Sequence, residues 1–95
     1  PEFPGGHTSL LKYLTTRIKY PIIAQENGIQ GRVSCSFVVD TDGSLRNIKV
    51  TRGIDPSLDE EAVRVIREMP KWNPGIQNDM AVAVKYTVPV TFRLQ

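Results

Sequence analysis

The C-terminal segment alternates apolar and polar residues with a period of two. Every even position from Val82 to Leu94 is apolar, whereas the odd positions from Lys85 to Arg93 are Lys, Thr, Pro, Thr and Arg. This alternation predicts a half-buried β-strand with its even side chains toward the core. Pro89 lies in the middle of the strand. Because proline has no N–H to donate to a ladder, it predicts that this strand lies at the edge of a sheet.

Two more strands are predicted between Gln30 and Thr51. The first carries apolar residues at alternate positions: Val33, Cys35, Phe37 and Val39. The turn residues "DTDG", Asp40 to Gly43, follow it and are typical of a tight hairpin. The return strand, about Leu45 to Thr51, places Ile48 and Val50 on one face. The two strands are therefore predicted to pair in an antiparallel manner.

Helical periodicity occurs twice. Leu10, Leu14 and Ile18 follow a helical spacing that ends near Lys19, because Pro21 disfavours helical dihedral angles in the residue before it. A second helix follows Asp55 as its N-cap, with Pro56 at its first position. Its apolar face consists of Leu58, Ala62, Val65, Ile66 and Met69. The residues from Lys71 to about Met80 are predicted to form a loop.

This order of elements predicts one small α+β domain. A hairpin followed by a helix and a returning strand gives a two-layer sandwich, with a three-stranded antiparallel sheet and two main helices packed on one face. The other face of the sheet is expected to be in contact with solvent. Residues 1–7, which contain two prolines and two glycines, are expected to form an extended lead-in, and residues 8–95 the domain itself.

Composition argues against most enzyme and cofactor chemistry. The chain has 95 residues, one cysteine and one histidine, so it has neither an internal disulfide nor a multi-histidine metal site. The net charge of +2 is too small to indicate nucleic-acid binding. Asp40 and Asp42 belong to the predicted turn rather than to an acid–base pair. We therefore predict no catalytic residue, no metal site, no cofactor and no nucleic-acid partner.

The predicted edge strand allows two interpretations. Because Pro89 has no N–H, its nitrogen is expected to face away from the neighbouring strand. The odd residues of this strand then direct their backbone groups toward the open side. In one interpretation, Pro89 and the charges of Lys85 and Arg93 protect the edge from aggregation. In the other, the edge binds an extended segment of a partner protein. The strand itself is compatible with both.

Four ordered segments together resemble one known family. These are "YP" (Tyr20, Pro21), "GIQGRVSCSFVVDTDGSLRNIKV" (Gly28 to Val50), "LDEEAVRVIREMPKWNPG" (Leu58 to Gly75) and "VPVTFRL" (Val88 to Leu94). They are similar to the C-terminal domain of TonB energy transducers. The lead-in "PEFPGG" with "LLKYL" resembles the branch of that family in which the domain follows the same proline–glycine stretch.

The resemblance implies a function in transport. A TonB-like protein is anchored in the inner membrane, and this periplasmic domain binds the TonB box of outer-membrane transporters as an added strand. A proton-driven motor complex, connected to the domain through upstream segments, then pulls to open the transporter for nutrient uptake. The domain itself is expected to have no small-molecule substrate. The resemblance implies the following partner-binding residues: Arg17, Tyr20, Pro21, Lys85, Thr87, Pro89, Thr91 and Arg93.

A second function remains open at this point. Similar domains end membrane-bound sensor and antirepressor proteins, in which the partner is a periplasmic peptide or protease domain and no force is transmitted. The upstream sequence distinguishes the two. One transmembrane helix with a Pro/Lys-rich spacer favours the transducer, whereas several helices with a metalloprotease motif favour the sensor.

Overall fold

A three-stranded antiparallel sheet forms the centre of the molecule, and helices pack on one of its faces. The structure is a computed structural model and describes residues 1–94. In chain order the elements are α1 (His7–Arg17), α2 (Ile22–Glu26), β1 (Gly31–Val39), β2 (Leu45–Arg52), α3 (Pro56–Arg67), β3 (Gly75–Gln77), β4 (Met80–Val82) and β5 (Val84–Phe92). The sheet order is β2–β1–β5. The predicted two-layer α+β fold is confirmed.

The core lies between the inner face of the sheet and the helices. The odd residues of β1 and the even residues of β5 share this face, because Cys35 is paired with Val88 and Val33 with Val90. Helix α3 contributes Leu58, Ala62, Val65 and Ile66, all of them buried. Burying one large aliphatic side chain contributes about 1.5–3 kcal/mol, so this interface provides most of the stability.

The two main helices begin differently. At α3 the predicted cap is present: the Asp55 carboxylate accepts hydrogen bonds from the Ser57 N–H at 3.0 Å and the Ser57 hydroxyl at 2.5 Å, and Pro56 follows. Helix α1 instead begins after Gly6, which has a φ of 90° and makes no side-chain cap. It ends at Arg17, and Ile18 is already extended.

The N-terminal residues fold onto the domain. Glu2 and Asn73 exchange two backbone hydrogen bonds of 2.9 and 2.8 Å. Phe3 is buried, and its ring packs edge-on against Trp72, with 5.8 Å between the centroids. Trp72 thus closes one end of the core. The division of the chain at residue 7 stays a prediction. Among residues 1–94, no helix combines the length and apolar character needed to cross a membrane.

One predicted loop contains a hairpin instead. Strands β3 and β4 pair with each other between Gly75 and Val82. Their two connecting residues, Asn78 and Asp79, both have positive φ, of 52° and 63°, as in the tight turns that suit β-hairpins. The predicted last strand was placed too early, because Val82 belongs to β4 and β5 begins at Val84. Strands of three residues are too short to give a recognisable alternation.

Candidate functional site at the open edge of β5

Strand β5 is a long, regular strand at the edge of the sheet. All nine of its residues are paired with β1, from Val84 opposite Val39 to Phe92 opposite Gly31, without a register shift. Among residues 1–94, no second strand pairs with its other side. Its odd side chains, from Lys85 to Thr91, are exposed on the sheet face opposite the helices. A regular edge of this kind has free backbone groups along its whole length.

The orientation of these backbone groups follows from the neighbouring strand. The carbonyl oxygen of Ser34 accepts a hydrogen bond from the Thr51 hydroxyl on β2, at 3.2 Å, so Ser34 directs its backbone toward β2. Pro89 lies directly opposite Ser34 on β5. In an antiparallel pair, two opposite residues either face each other with their polar groups or both face away. Pro89 therefore directs its backbone nitrogen and carbonyl toward the open edge.

The same alternation applies to the rest of β5. Lys85, Thr87 and Thr91 share the orientation of Pro89, and their N–H and C=O groups face outward. Just beyond the strand, Leu94 donates its N–H to the Gln30 side-chain oxygen at 2.9 Å, on the β1 side, as an even residue should. The open edge of β5 thus has a regular set of donors and acceptors, with one donor missing at Pro89.

Tyr20 lies near the C-terminal end of β5, and Pro21 follows it at the start of α2. The Tyr20 ring packs edge-on against Phe92, with 5.7 Å between centroids, and its hydroxyl donates to the carbonyl oxygen of Ile29. Pro21 is the N-cap residue of α2, with a φ of −60°. The structure therefore brings Tyr20 together with β5, and it fixes the segment that connects α1 to α2.

Arg17 contacts a different set of groups. Its guanidinium lies over the Tyr13 ring, 5.6 Å from the centroid, and its carbonyl oxygen accepts a hydrogen bond of 3.2 Å from Arg64. These contacts tie Arg17 to α1 and α3. The geometry links it to β5 only through the chain segment that leads to Tyr20.

A charged pair on α3 holds that segment. Glu61 and Arg64 form two hydrogen bonds of 2.7 Å, and a Glu61 oxygen also accepts the backbone N–H of Lys19 at 2.7 Å. Burial opposes ionisation of Glu61, but these donors outweigh it and hold the pKa of the carboxyl below its ordinary value. The carboxylate and Arg64 thus fix residues 17–19 immediately before Tyr20. The i, i+3 spacing of Glu61 and Arg64 predicts a helical ion pair from the sequence, but it does not predict that this pair also binds the N–H of Lys19.

The outer face of the sheet is positively charged. Strands β1, β2 and β5 contain no Asp or Glu. They carry exposed basic side chains on the outer face at Arg32, Arg46, Lys49, Arg52 and Lys85, and Arg93 follows β5 directly. Arg46 is paired with Asp40 of the turn at 2.8 Å. The acidic residues of α3 lie on the opposite side of the domain. A partner that contacts β5 from the outer face therefore meets positive charge.

The lone cysteine lies in the core and not at this edge. Cys35 is fully buried in β1, and burial raises the pKa of its thiol to about 11. A thiol with this pKa is almost entirely protonated at neutral pH and is a poor nucleophile. Within the part of the chain that the structure describes, no group of three or more His, Cys, Asp or Glu residues has metal-binding geometry.

Comparison with known proteins identifies the family. Residues 16–94 match the family described as Gram-negative bacterial TonB protein C-terminal. The chain belongs to this family. Protein TonB of Haemophilus influenzae is 31% identical to it over 91 residues, which cover 92% of the chain and 34% of that protein. Protein TonB of Helicobacter pylori J99 is 31% identical over 97 residues, with 97% and 33% covered.

Solved TonB structures have the same fold. The solution structure of the Helicobacter pylori TonB C-terminal domain, residues 179–285, matches with a TM-score of 0.68 and 27% identity, over 90% of this chain and 77% of that one. The Pseudomonas aeruginosa TonB C-terminal domain matches with a TM-score of 0.61 and 27% identity, over 81% and 78%. The chain spans about a third of the length of the curated TonB relatives.

Proposed function

We propose that this TonB-type domain binds the TonB box of outer-membrane transporters by β-strand addition to β5. The observation that supports this proposal is the unbroken nine-residue pairing of β5 with β1 on one side, with outward-facing backbone groups on the other. An extended peptide needs this kind of template, because its affinity comes from main-chain hydrogen bonds and its specificity from alternate side chains.

The binding residues in this proposal have two functions. Lys85, Thr87, Thr91 and Arg93 offer backbone donors and acceptors to the added strand, while Pro89 offers its carbonyl oxygen alone. The segment that leads from Arg17 to Tyr20 and Pro21 reaches the C-terminal end of β5 through the Tyr20 ring, which packs against Phe92, and in this proposal it limits how far the added strand extends there. Each net hydrogen bond contributes about 0.5–1.5 kcal/mol and peptide ordering opposes binding, so we expect an affinity on the order of micromolar.

The remaining steps belong to the whole protein. In this proposal the domain lies in the periplasm, and upstream segments anchor it in the inner membrane and connect it to a proton-driven motor complex. Force applied through the chain reaches the transporter through the added strand and permits nutrient uptake. The domain is a binding and force-transmitting unit without enzymatic activity or small-molecule substrate.

The test is a titration followed by NMR. A synthetic TonB-box peptide from a transporter of the same cell should shift the backbone amide resonances of residues 84–93 most strongly, with smaller shifts around Tyr20. A scrambled peptide of the same composition is the control. If the largest shifts instead fall on the exposed side of α3, near Arg67 and Glu68, strand addition at β5 is wrong.

A further inference from the structure

A cleft lies at the end of the sheet where β1 begins and β5 ends. It has a volume of about 730 Å³ and is lined in part by Gly31, Arg32, Thr91 and Arg93. Arg32 is paired directly with Thr91 across the β1–β5 ladder, and Arg93 follows Thr91 by two residues. The cleft is therefore lined by two guanidinium groups and a hydroxyl, all of which are hydrogen-bond donors.

Arg32 and Arg93 differ from Arg46 and Arg64 in having no acidic partner among the described residues. Arg46 is paired with Asp40, and Arg64 with Glu61 and Glu68, at 2.7–2.8 Å. Among residues 1–94, neither Arg32 nor Arg93 has a carboxylate within ion-pair distance. None of the described residues that line the cleft is acidic. Two neighbouring cations without an anion repel each other, and a carboxylate between them relieves this repulsion.

We propose that this cleft, formed by Arg32, Thr91 and Arg93, binds an acidic side chain of the strand added to β5. The inference rests on the proposed function. An added strand lies about 4.8 Å from β5, and every second side chain falls on the outer face beside Thr91 and Arg93. A Glu or Asp there is within reach of both guanidinium groups. The contact sets the register of the added strand, which backbone hydrogen bonds alone specify weakly.

The experiment compares two peptides that differ in one side-chain group, a carboxylate in one and an amide in the other. Intermolecular NOEs with the TonB-box peptide first identify the peptide residue opposite Thr91. That residue is then made Glu in one peptide and Gln in the other, and both are titrated by NMR. We expect the Glu peptide to bind about three- to tenfold more tightly, as for one or two partly exposed charge pairs. The difference should shrink in about 0.5 M NaCl.

Protein variants assign the effect to the cleft. In the Arg32→Gln/Arg93→Gln variant the two peptides should bind equally. In Lys49→Gln, which removes an exposed cation from β2 on the same face, the difference should persist. If both peptides shift the β5 amides and bind the wild-type domain equally, this inference is wrong and the proposed function stands. A difference that survives in the double-arginine variant also overturns the inference. If neither peptide shifts the β5 amides, the proposed function itself fails, and the inference with it.

Discussion

The two edges of the sheet differ in regularity. Both β2 and β5 have β1 as their neighbour, but β5 follows it residue by residue, whereas the β2 pairing shifts twice, between Ser34 and Cys35 and between Ser36 and Val38. At the second shift, Asn47 has a left-handed φ of 56°. Such bulges bend and twist a strand and interrupt its row of free donors.

This difference indicates which edge suits a partner strand. The bulges make β2 a poor template, so its edge is protected in the way that natural sheets commonly use. Strand β5 has only Pro89 as an interruption. Positive charge does not distinguish the edges, because both carry exposed basic residues. What distinguishes β5 is its regular backbone together with the segment around Tyr20 that packs against its end.

The largest expected effect is that of proline on the inner side of β5. Val90 directs its backbone toward β1 and its side chain into the core, where it is fully buried. Val90→Pro removes a ladder bond and a core contact together and should cost several kcal/mol, in a domain whose whole stability is about 5–10 kcal/mol. Thermal unfolding followed by circular dichroism should show a midpoint far below that of the wild-type protein.

Thr91→Pro is the matched control. Thr91 directs its backbone outward and its side chain is exposed, so this variant should keep most of the wild-type stability. If Thr91→Pro unfolds the domain while Val90→Pro is tolerated, the orientation of β5 derived from Ser34 and Pro89 is reversed.

The second effect concerns the bulge of β2. A β-branched residue in the left-handed region is strained, so Asn47→Val should reduce the free energy of unfolding by about 1–2 kcal/mol. Asn47→Gly should change it much less, because glycine adopts this conformation readily. Chemical denaturation of both variants measures the difference. Equal stability of the two variants would mean that the bulge is not fixed at Asn47.

The sequence predicted the extent of β2 to within one residue, but it did not predict the irregular pairing that distinguishes β2 from β5. The alternation from Val84 to Phe92 is regular because the strand is regular, and Pro89 marked the edge without any tertiary information. In β2 no glycine marks the bulge at Asn47. Each of the two register shifts adds one residue to β2, so the alternation of its side chains between the two faces of the sheet is interrupted. The β3–β4 hairpin was missed because its turn, Asn78 and Asp79, lacks the usual glycine. The contact between Glu61 and Lys19 spans 42 residues, a separation that local periodicity does not reveal.

The third effect tests the support at the end of β5. Glu61→Gln keeps the shape of the side chain but removes the charge that holds Arg64 and the Lys19 N–H, and should cost about 1 kcal/mol at neutral pH. Because the pKa of Glu61 is lowered on folding from its ordinary 4.5, its contribution is present above that value and is lost as the pH falls through the folded pKa. The stability difference between wild type and variant should therefore shrink as the pH falls below 4.5.

Urea denaturation at several pH values measures this effect. The Glu60→Gln variant, one residue away on the exposed side of α3, is the control and should show little difference at any pH. A pH-independent deficit in Glu61→Gln would mean that packing, and not the charge, holds residues 17–19.

The smallest effect combines the two sides of the comparison in one titration. Thr91→Pro removes a second outward donor from β5, which already lacks one at Pro89, while the inner ladder stays intact. With one net hydrogen bond lost, the affinity for the TonB-box peptide should fall about threefold. Thr51→Pro places the same substitution on the bulged strand β2, away from the proposed docking edge. The folded molecules of this variant should bind the peptide with unchanged affinity.

Isothermal titration at equal concentrations of folded protein measures the affinity of both variants. Unchanged affinity in Thr91→Pro would mean that the peptide does not use the outward N–H of Thr91, and strand addition would then have to be confined to residues 84–89. A larger loss in Thr51→Pro than in Thr91→Pro would move the binding edge to β2, against the regularity that distinguishes β5.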